Sequence, residues 1–247
     1  MKERFLTREE LMVEGGIDAA QTPPINHNER RKQLIIIDLI FDISLSMSLF
    51  FSDLIHGFNQ LILPGLKKVH EKDAAAIRLG CILFSDEVVK PWYGFLPLDQ
   101  IEKRSLRITD FEAPGLKGQT ALYRAIIEAL RGTSAVSDKL RNNNSLPIRK
   151  LMIITDGANN EAPFDVSEVR KAVIDFNLGE EDTLAMAYFD TNQGLSLDKF
   201  NAMAKAIGVT HKGYFDLTKD GNKQNIEDRR KAFRRALNLF SKESVLK

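Results

Sequence analysis

Five residues stand out because their side chains offer the same kind of donor atom. Asp42, Ser44 and Ser46 alternate along one short stretch, Thr120 lies far downstream, and Asp156 sits in the triplet Thr155-Asp156-Gly157. Carboxylate and hydroxyl oxygens, with no imidazole or thiolate among them, form a hard donor set suited to one divalent cation. A compact shell that keeps several waters suits Mg2+ better than the larger shell of Ca2+, and Mn2+ can substitute. Taken alone, Asp-x-Ser-x-Ser also reads as a strand-to-helix cap in which Ser46 or Ser48 satisfies free N–H groups. The addition of Thr120 and Asp156 favours the cation.

These residues need elements to position them. The runs Leu34 to Phe41 and Leu151 to Ile154 are short, apolar and rich in β-branched residues, as strands buried on both faces of a parallel sheet should be. Each leads into an Asp, where burial should stop. From Leu34 onward the pattern alternates: strand 34–43, helix near 50–70, then strands near 76–84 and 88–96. Only Ser85-Asp86-Glu87 joins that last pair, too little for a crossover helix, so the two strands form an antiparallel hairpin. A helix from Thr120 into the 130s carries Leu122, Ile126 and Leu130 on one face. Helix 165–176, strand Thr183 to Phe189, helix 197–206, strand Gly213 to Leu217 and helix 225–242 follow.

This order predicts an open, doubly wound α/β fold of Rossmann-like type, with a mostly parallel six-stranded sheet, one antiparallel edge strand and helices on both faces. In such sheets ligands bind beyond the carboxyl ends of the strands, where the strand order reverses. Asp42 and Asp156 both lie at carboxyl ends. Helices beginning at Ser48 and Thr120 would point their amino ends at the same place, which favours anionic groups.

Composition bounds the rest. The 247 residues suit one domain of ordinary size over 33–247, preceded by a breaker-rich arm over 1–32 that contains Gly15-Gly16 and Pro23-Pro24. With 35 Lys+Arg against 34 Asp+Glu there is no global field to draw in nucleic acid or an anionic membrane. Cys81 is the only cysteine and lies in an apolar run, so a buried thiol in a reducing compartment is expected. No apolar stretch reaches the ~20 residues of a spanning helix, and the expected location is the cytoplasm. His27, His56, His70 and His211 have no ligand-like spacing, which argues against zinc. Asp38, within the first strand, is expected in an ion pair or at an exposed strand start. Pro64-Gly65 should end or kink its helix. The basic run around Arg229 to Arg235 reads as a solvated helix face.

Asp42, Ser44, Ser46, Thr120 and Asp156, in this order and strand context, resemble the metal-ion-dependent adhesion site (MIDAS) of von Willebrand factor type A (VWA) domains, over about residues 34–242. That resemblance implies direct coordination by Ser44 and Ser46, direct or water-mediated contact from Thr120, and mostly water-mediated contact from Asp42 and Asp156. It implies a protein-interaction module, not an enzyme, in which an Asp or Glu of a partner completes the cation's shell. Phe50 and Phe51 follow the loop, either as an apolar contact beside the cation or as core. Leu45 departs from the family, which usually places Gly between the two serines.

The stretches FEAPGLKGQTALYRA (111–125) and KLMIITDGANN (150–160) are most similar to soluble intracellular bacterial members of the tellurite-resistance-associated group. A role in a stress-response or defence complex is what that similarity implies. Two alternatives stand beside it. One is a metal-independent VWA scaffold. The other is a Mg2+-dependent phosphohydrolase of the haloacid dehalogenase type, which needs a second Asp where this chain has Ser44.

Overall fold

β1 (Gln33–Asp42) is the strand on which the molecule is organised, because apolar side chains alternate to both of its faces and almost all of them are buried. Ile35, Ile37, Leu39 and Phe41 enter one core, while Ile40 enters another on the opposite face. A strand buried on both sides needs parallel neighbours with helices above and below. The computed structural model supplies them, and describes residues 18–72, 75–89, 91, 94–101, 106–112, 120–141, 147–157, 165–176, 182–190, 195–216, 231, 232 and 235.

After β1 the chain forms a 3-10 turn (Leu45–Phe50), helix α1 (Phe51–Gly57), a π turn (Phe58–Ile62) and helix α2 (Leu63–Lys72). β2 (Ala75–Phe84) follows, then the two-residue strands β3 (Val88–Val89) and β4 (Leu96–Pro97) and the short helices α3 (Leu98–Ile101) and α4 (Ile108–Glu112). Next come α5 (Leu122–Lys139), β5 (Ile148–Thr155), α6 (Val166–Phe176), β6 (Thr183–Asp190), α7 (Leu197–Ile207) and β7 (His211–Asp216).

Five parallel strands run in the order β2-β1-β5-β6-β7, and the antiparallel edge on β2 is contributed in two pieces by β3 and β4. The expected hairpin partner over 88–96 is therefore antiparallel but interrupted. Leu83 pairs with Val89 and Leu79 with Leu96, so the edge takes seven steps where β2 takes four. Pro91 has no N–H to give a ladder, and Gly94 adopts φ +72°, so the chain leaves the edge and returns. Pro64 does not end its helix. The preceding π turn widens the backbone where a proline ring would meet the carbonyl four residues back, and the helix continues to Lys72.

α1, α2, α3 and α4 cover one face of the sheet through Phe51, Leu54, Leu66, Ile101 and Phe111. α5, α6 and α7 cover the other through Ile126, Leu130, Val173, Phe200 and Ile207. Asp38 is 2% exposed, which overturns its reading as an exposed strand start; it lies against Gly80, where a Cβ would come within 2.9 Å of its Oδ1. Cys81 is buried, and burial pushes its thiol well above the usual range. Among the described residues no helix is long and apolar enough to cross a membrane. The expected helix over 225–242 lies outside the described residues except for Lys231, Ala232 and Arg235, which are helical.

Candidate metal centre

β1 and β5 are neighbours, with Phe41 paired to Ile154, and the strand order departs in opposite directions from this pair. Their carboxyl ends therefore open the crevice at the point where the winding reverses. Asp42 ends β1, and Asp156 directly follows β5; both carboxylates are buried. The stretch after Asp42 bends at once into the 3-10 turn, because the Asp42 Oδ1 accepts the Ser44 N–H at 2.8 Å and the Ser44 carbonyl accepts the Met47 N–H at 3.0 Å.

That bend turns both serine hydroxyls inward. Ser46 Oγ donates to Asp156 Oδ1 at 2.8 Å, across 110 residues of sequence. Ser44 Oγ lies 3.1 Å from Ser46 Oγ. Ser44 is the N-cap residue of the turn, yet its side chain makes no capping hydrogen bond. The hydroxyls serve the cluster, and the helical start lies before Ser46 and Ser48, not at either.

Thr120 reaches the same place from a third element. The Ala121 N–H donates to the Ser85 carbonyl at 2.5 Å, which ties the segment before α5 to the end of β2. Thr120 precedes the helix by two residues instead of opening it, and the N-cap position is Ala121. Its side chain packs over Gly157, where a Cβ would stand 3.1 Å from Thr120 Oγ1 and 3.6 Å from Asp42 Oδ2. A side chain there would press on Thr120 and make it give by a few tenths of an ångström. The five oxygen-bearing side chains singled out in the sequence thus converge from the β1 loop, the α5 entry and the β5 end. The loop over 113–119 ahead of Thr120 lies outside the described residues.

Two residues of the centre had no role assigned from sequence. Thr155 Oγ1 donates to Asp42 Oδ2 at 2.6 Å and accepts the Gly157 N–H at 3.1 Å, so it ties the Asp42 carboxylate to the turn that carries Asp156. Its place in the Thr-Asp-Gly triplet was a usable signal. Tyr188 OH donates to the Asp156 carbonyl at 2.7 Å from the neighbouring strand β6, and nothing in the local sequence marks it.

The electrostatics fit a cation. Burial lifts the Asp42 carboxyl to about 6; the Ser44 and Thr155 hydroxyls oppose that rise and the nearby Asp156 adds to it. Two buried carboxylates facing each other favour an added positive charge. The donor set is hydroxyl and carboxylate only, which suits a hard divalent ion. Among the described residues no three His, Cys, Asp or Glu side chains gather as a metal site, so the hydroxyls are what make this cluster recognisable.

The apolar rim differs from one of the two expectations. Phe51 is core, 5.2 Å from the Phe111 ring, and Phe50 packs against the same core. The exposed apolar residue beside the centre is Leu45, at 58%. Its side chain points to solvent and leaves the two serine oxygens together.

No protein-family model and no curated protein matches the sequence. Solved structures do match. A von Willebrand factor type A protein from Catenulispora acidiphila superposes with a TM-score of 0.55 at 12% identity, covering 85% of this chain and 43% of that one. The fold is that of a VWA domain. The open conformation of the pilus adhesin SpaC from Lactobacillus rhamnosus GG gives a TM-score of 0.56 at 11% identity over 90% of this chain and 31% of that one. A proximal thread matrix protein from the mussel byssus, with a zinc-occupied MIDAS motif, gives 0.54 at 14% over 84% and 48%. The chain spans less than half the length of each of these proteins, and at such identities the likeness extends to the fold alone.

Proposed function

We propose that this VWA-fold chain is a Mg2+-dependent protein-interaction module whose centre is Asp42, Ser44, Ser46, Thr120 and Asp156, and that it is not an enzyme. The observation that carries the reading is the bond from Ser46 to Asp156 across the β1–β5 crevice, with the Ser44 oxygen beside Ser46 and making no capping bond. When bound, Mg2+ or Mn2+ supplies positive charge and a coordination position open to an acidic side chain of a partner protein. The chain's part is to hold hydroxyl oxygens inward, keep two carboxylates dry and hold Thr120 against Gly157. Leu45 offers an apolar contact at the rim of the same crevice. The mussel protein's zinc supports divalent-metal binding in this fold, while the all-oxygen donors here favour Mg2+ over zinc.

Ser44 also weighs against phosphoryl transfer, since the position two after Asp42 carries no acid/base carboxylate. A cytoplasmic setting, a stress-response or defence complex and kinship with tellurite-resistance-associated proteins belong to this proposal on sequence resemblance alone. The deciding experiment is isothermal titration of Mg2+ and Mn2+ into chelator-stripped protein, with thermal unfolding in parallel. Saturable binding that is lost in Asp156→Ala and in the Ser44→Ala/Ser46→Ala double variant, with the variants still folded, is the expected result. A wild-type protein that takes up neither ion moves the weight to a metal-independent scaffold.

A further inference from the structure

Beyond the five cluster residues, a single buried hydroxyl joins the Asp156 turn to a helix on the neighbouring strand. Tyr188, the sixth residue of β6, is fully buried and its OH donates to the Asp156 carbonyl at 2.7 Å. A phenol has one proton, so its second contact must be as acceptor, and the Leu195 N–H donates to it. One oxygen therefore bridges the peptide after β5 to the peptide that leads into α7.

The bridge is held rigid from both sides. The Tyr188 ring lies 5.5 Å from Tyr214 at an interplanar angle of 14° and 5.0 Å from Phe200 on α7. Tyr214 OH in turn donates to Asp190 Oδ2 at 2.5 Å and stands 3.3 Å from the Leu195 carbonyl. Both polar atoms of the Leu195 backbone are thus met by tyrosine hydroxyls, and Ser196 next to it accepts the Lys199 N–H at the start of α7. Asp156 has its carboxylate on Ser46 and its carbonyl on Tyr188, so the turn is pinned at both ends.

We propose that Tyr188 is a positioning residue for the cation centre, setting the Asp156 turn and coupling cation uptake to the order of the segment entering α7. This rests on the metal reading above. Groups one shell outside a metal's ligands orient those ligands, and their loss typically weakens binding about 10- to 100-fold. The coupling is reciprocal: if ordering at Leu195 favours the Asp156 turn, the cation favours ordering at Leu195 by the same factor.

The test uses the full chain, Mn2+ as the probe, and three readouts: titration affinity, thermal unfolding of the chelated protein, and amide hydrogen exchange. Tyr188→Phe is expected to stay folded and to bind Mn2+ about 10-fold more weakly. Tyr214→Phe, which loosens the Leu195 carbonyl and leaves the Tyr188 bond to Asp156 in place, is expected to weaken Mn2+ binding in the same direction by a smaller factor, about two-fold. In the wild type, Mn2+ is expected to slow exchange over residues 195–200, and in Tyr188→Phe that slowing disappears. A folded Tyr188→Phe with wild-type affinity overturns the inference and leaves the metal reading intact. Wild-type exchange over 195–200 that ignores Mn2+ overturns it too, whether or not the variant folds. A wild type that binds no cation removes both readings together.

Discussion

Asp42 carries two opposing demands. Its carboxyl must be ionised to serve a cation, yet burial, opposed by the Ser44 and Thr155 hydroxyls and reinforced by Asp156, lifts it from 3.8 to about 6. A carboxyl that titrates higher folded than unfolded binds its proton more tightly in the native state, so stability falls as pH rises through that range. In chelated protein this contribution is fully present below the unfolded value and is lost as pH climbs through about 6. His70 works in the opposite sense. Its Nδ1 accepts the Ile77 N–H, burial lowers its titration, and its contribution is lost as pH falls. The control is therefore Asp42→Asn, which should flatten the Asp42 part of the pH dependence of thermal unfolding between about pH 4 and about pH 7 and leave the His70 part. Saturating Mg2+ should invert the Asp42 part, because proton and cation compete for the same carboxylate.

At the scale of elements, the centre is where three chain segments are stopped in register. β1 and β5 end side by side, and the entry to α5 is held to the end of β2 by the Ala121 to Ser85 hydrogen bond. Gly157 is the tightest point of that junction. Replacing it with Ala places a methyl 3.1 Å from Thr120 Oγ1 and 3.3 Å from Thr120 Cγ2. Thr120 must then shift by a few tenths of an ångström. Gly157→Ala should lower unfolding stability by about 1 kcal/mol, the ordinary cost of overpacking, while weakening Mg2+ affinity several-fold. Equal affinity in that variant, measured by titration, means that Thr120 lies outside the cation's reach.

At the scale of the whole molecule, residues 18–32 are bound to the opposite end of the sheet from the centre. Arg78, in the middle rows of β2 and fully buried, donates to Glu29 through Nε at 3.0 Å and Nη2 at 2.8 Å, and its other donors meet the Pro23 and Pro24 carbonyls. Lys139 at the end of α5 donates to the Ala19 and Thr22 carbonyls, and Thr22 Oγ1 accepts the Phe95 N–H at 3.0 Å. The two prolines leave carbonyls that no helix or strand uses, and the guanidinium takes them. Glu29→Ala strands a buried guanidinium, so it should cost about 3–5 kcal/mol in denaturant unfolding. Cation affinity should not change in that variant, because the tie lies away from the Asp156 turn.

Much of this architecture was legible in the order of residues, for a local reason. Strands buried on both faces must be apolar throughout, and helices must repeat their apolar positions every three or four residues. Burial does not stop at the two acidic residues, as their polarity suggested, because Asp42 and Asp156 stay buried with hydroxyl and N–H groups to meet their carboxylates. The three-residue join at Ser85 to Glu87 likewise required an antiparallel edge. Periodicity records whether a residue is buried and not against what. Only the tertiary structure placed β5 beside β1, so that Ser46 Oγ could meet Asp156, and divided the edge into two pieces around Gly94. It alone buried Asp38, turned Leu45 outward where Phe50 and Phe51 had been candidates, and brought Glu29 to Arg78 and Tyr188 to Asp156. Those contacts depend on strand register and on distances of a few tenths of an ångström between residues far apart in the chain, which no local pattern of polarity encodes.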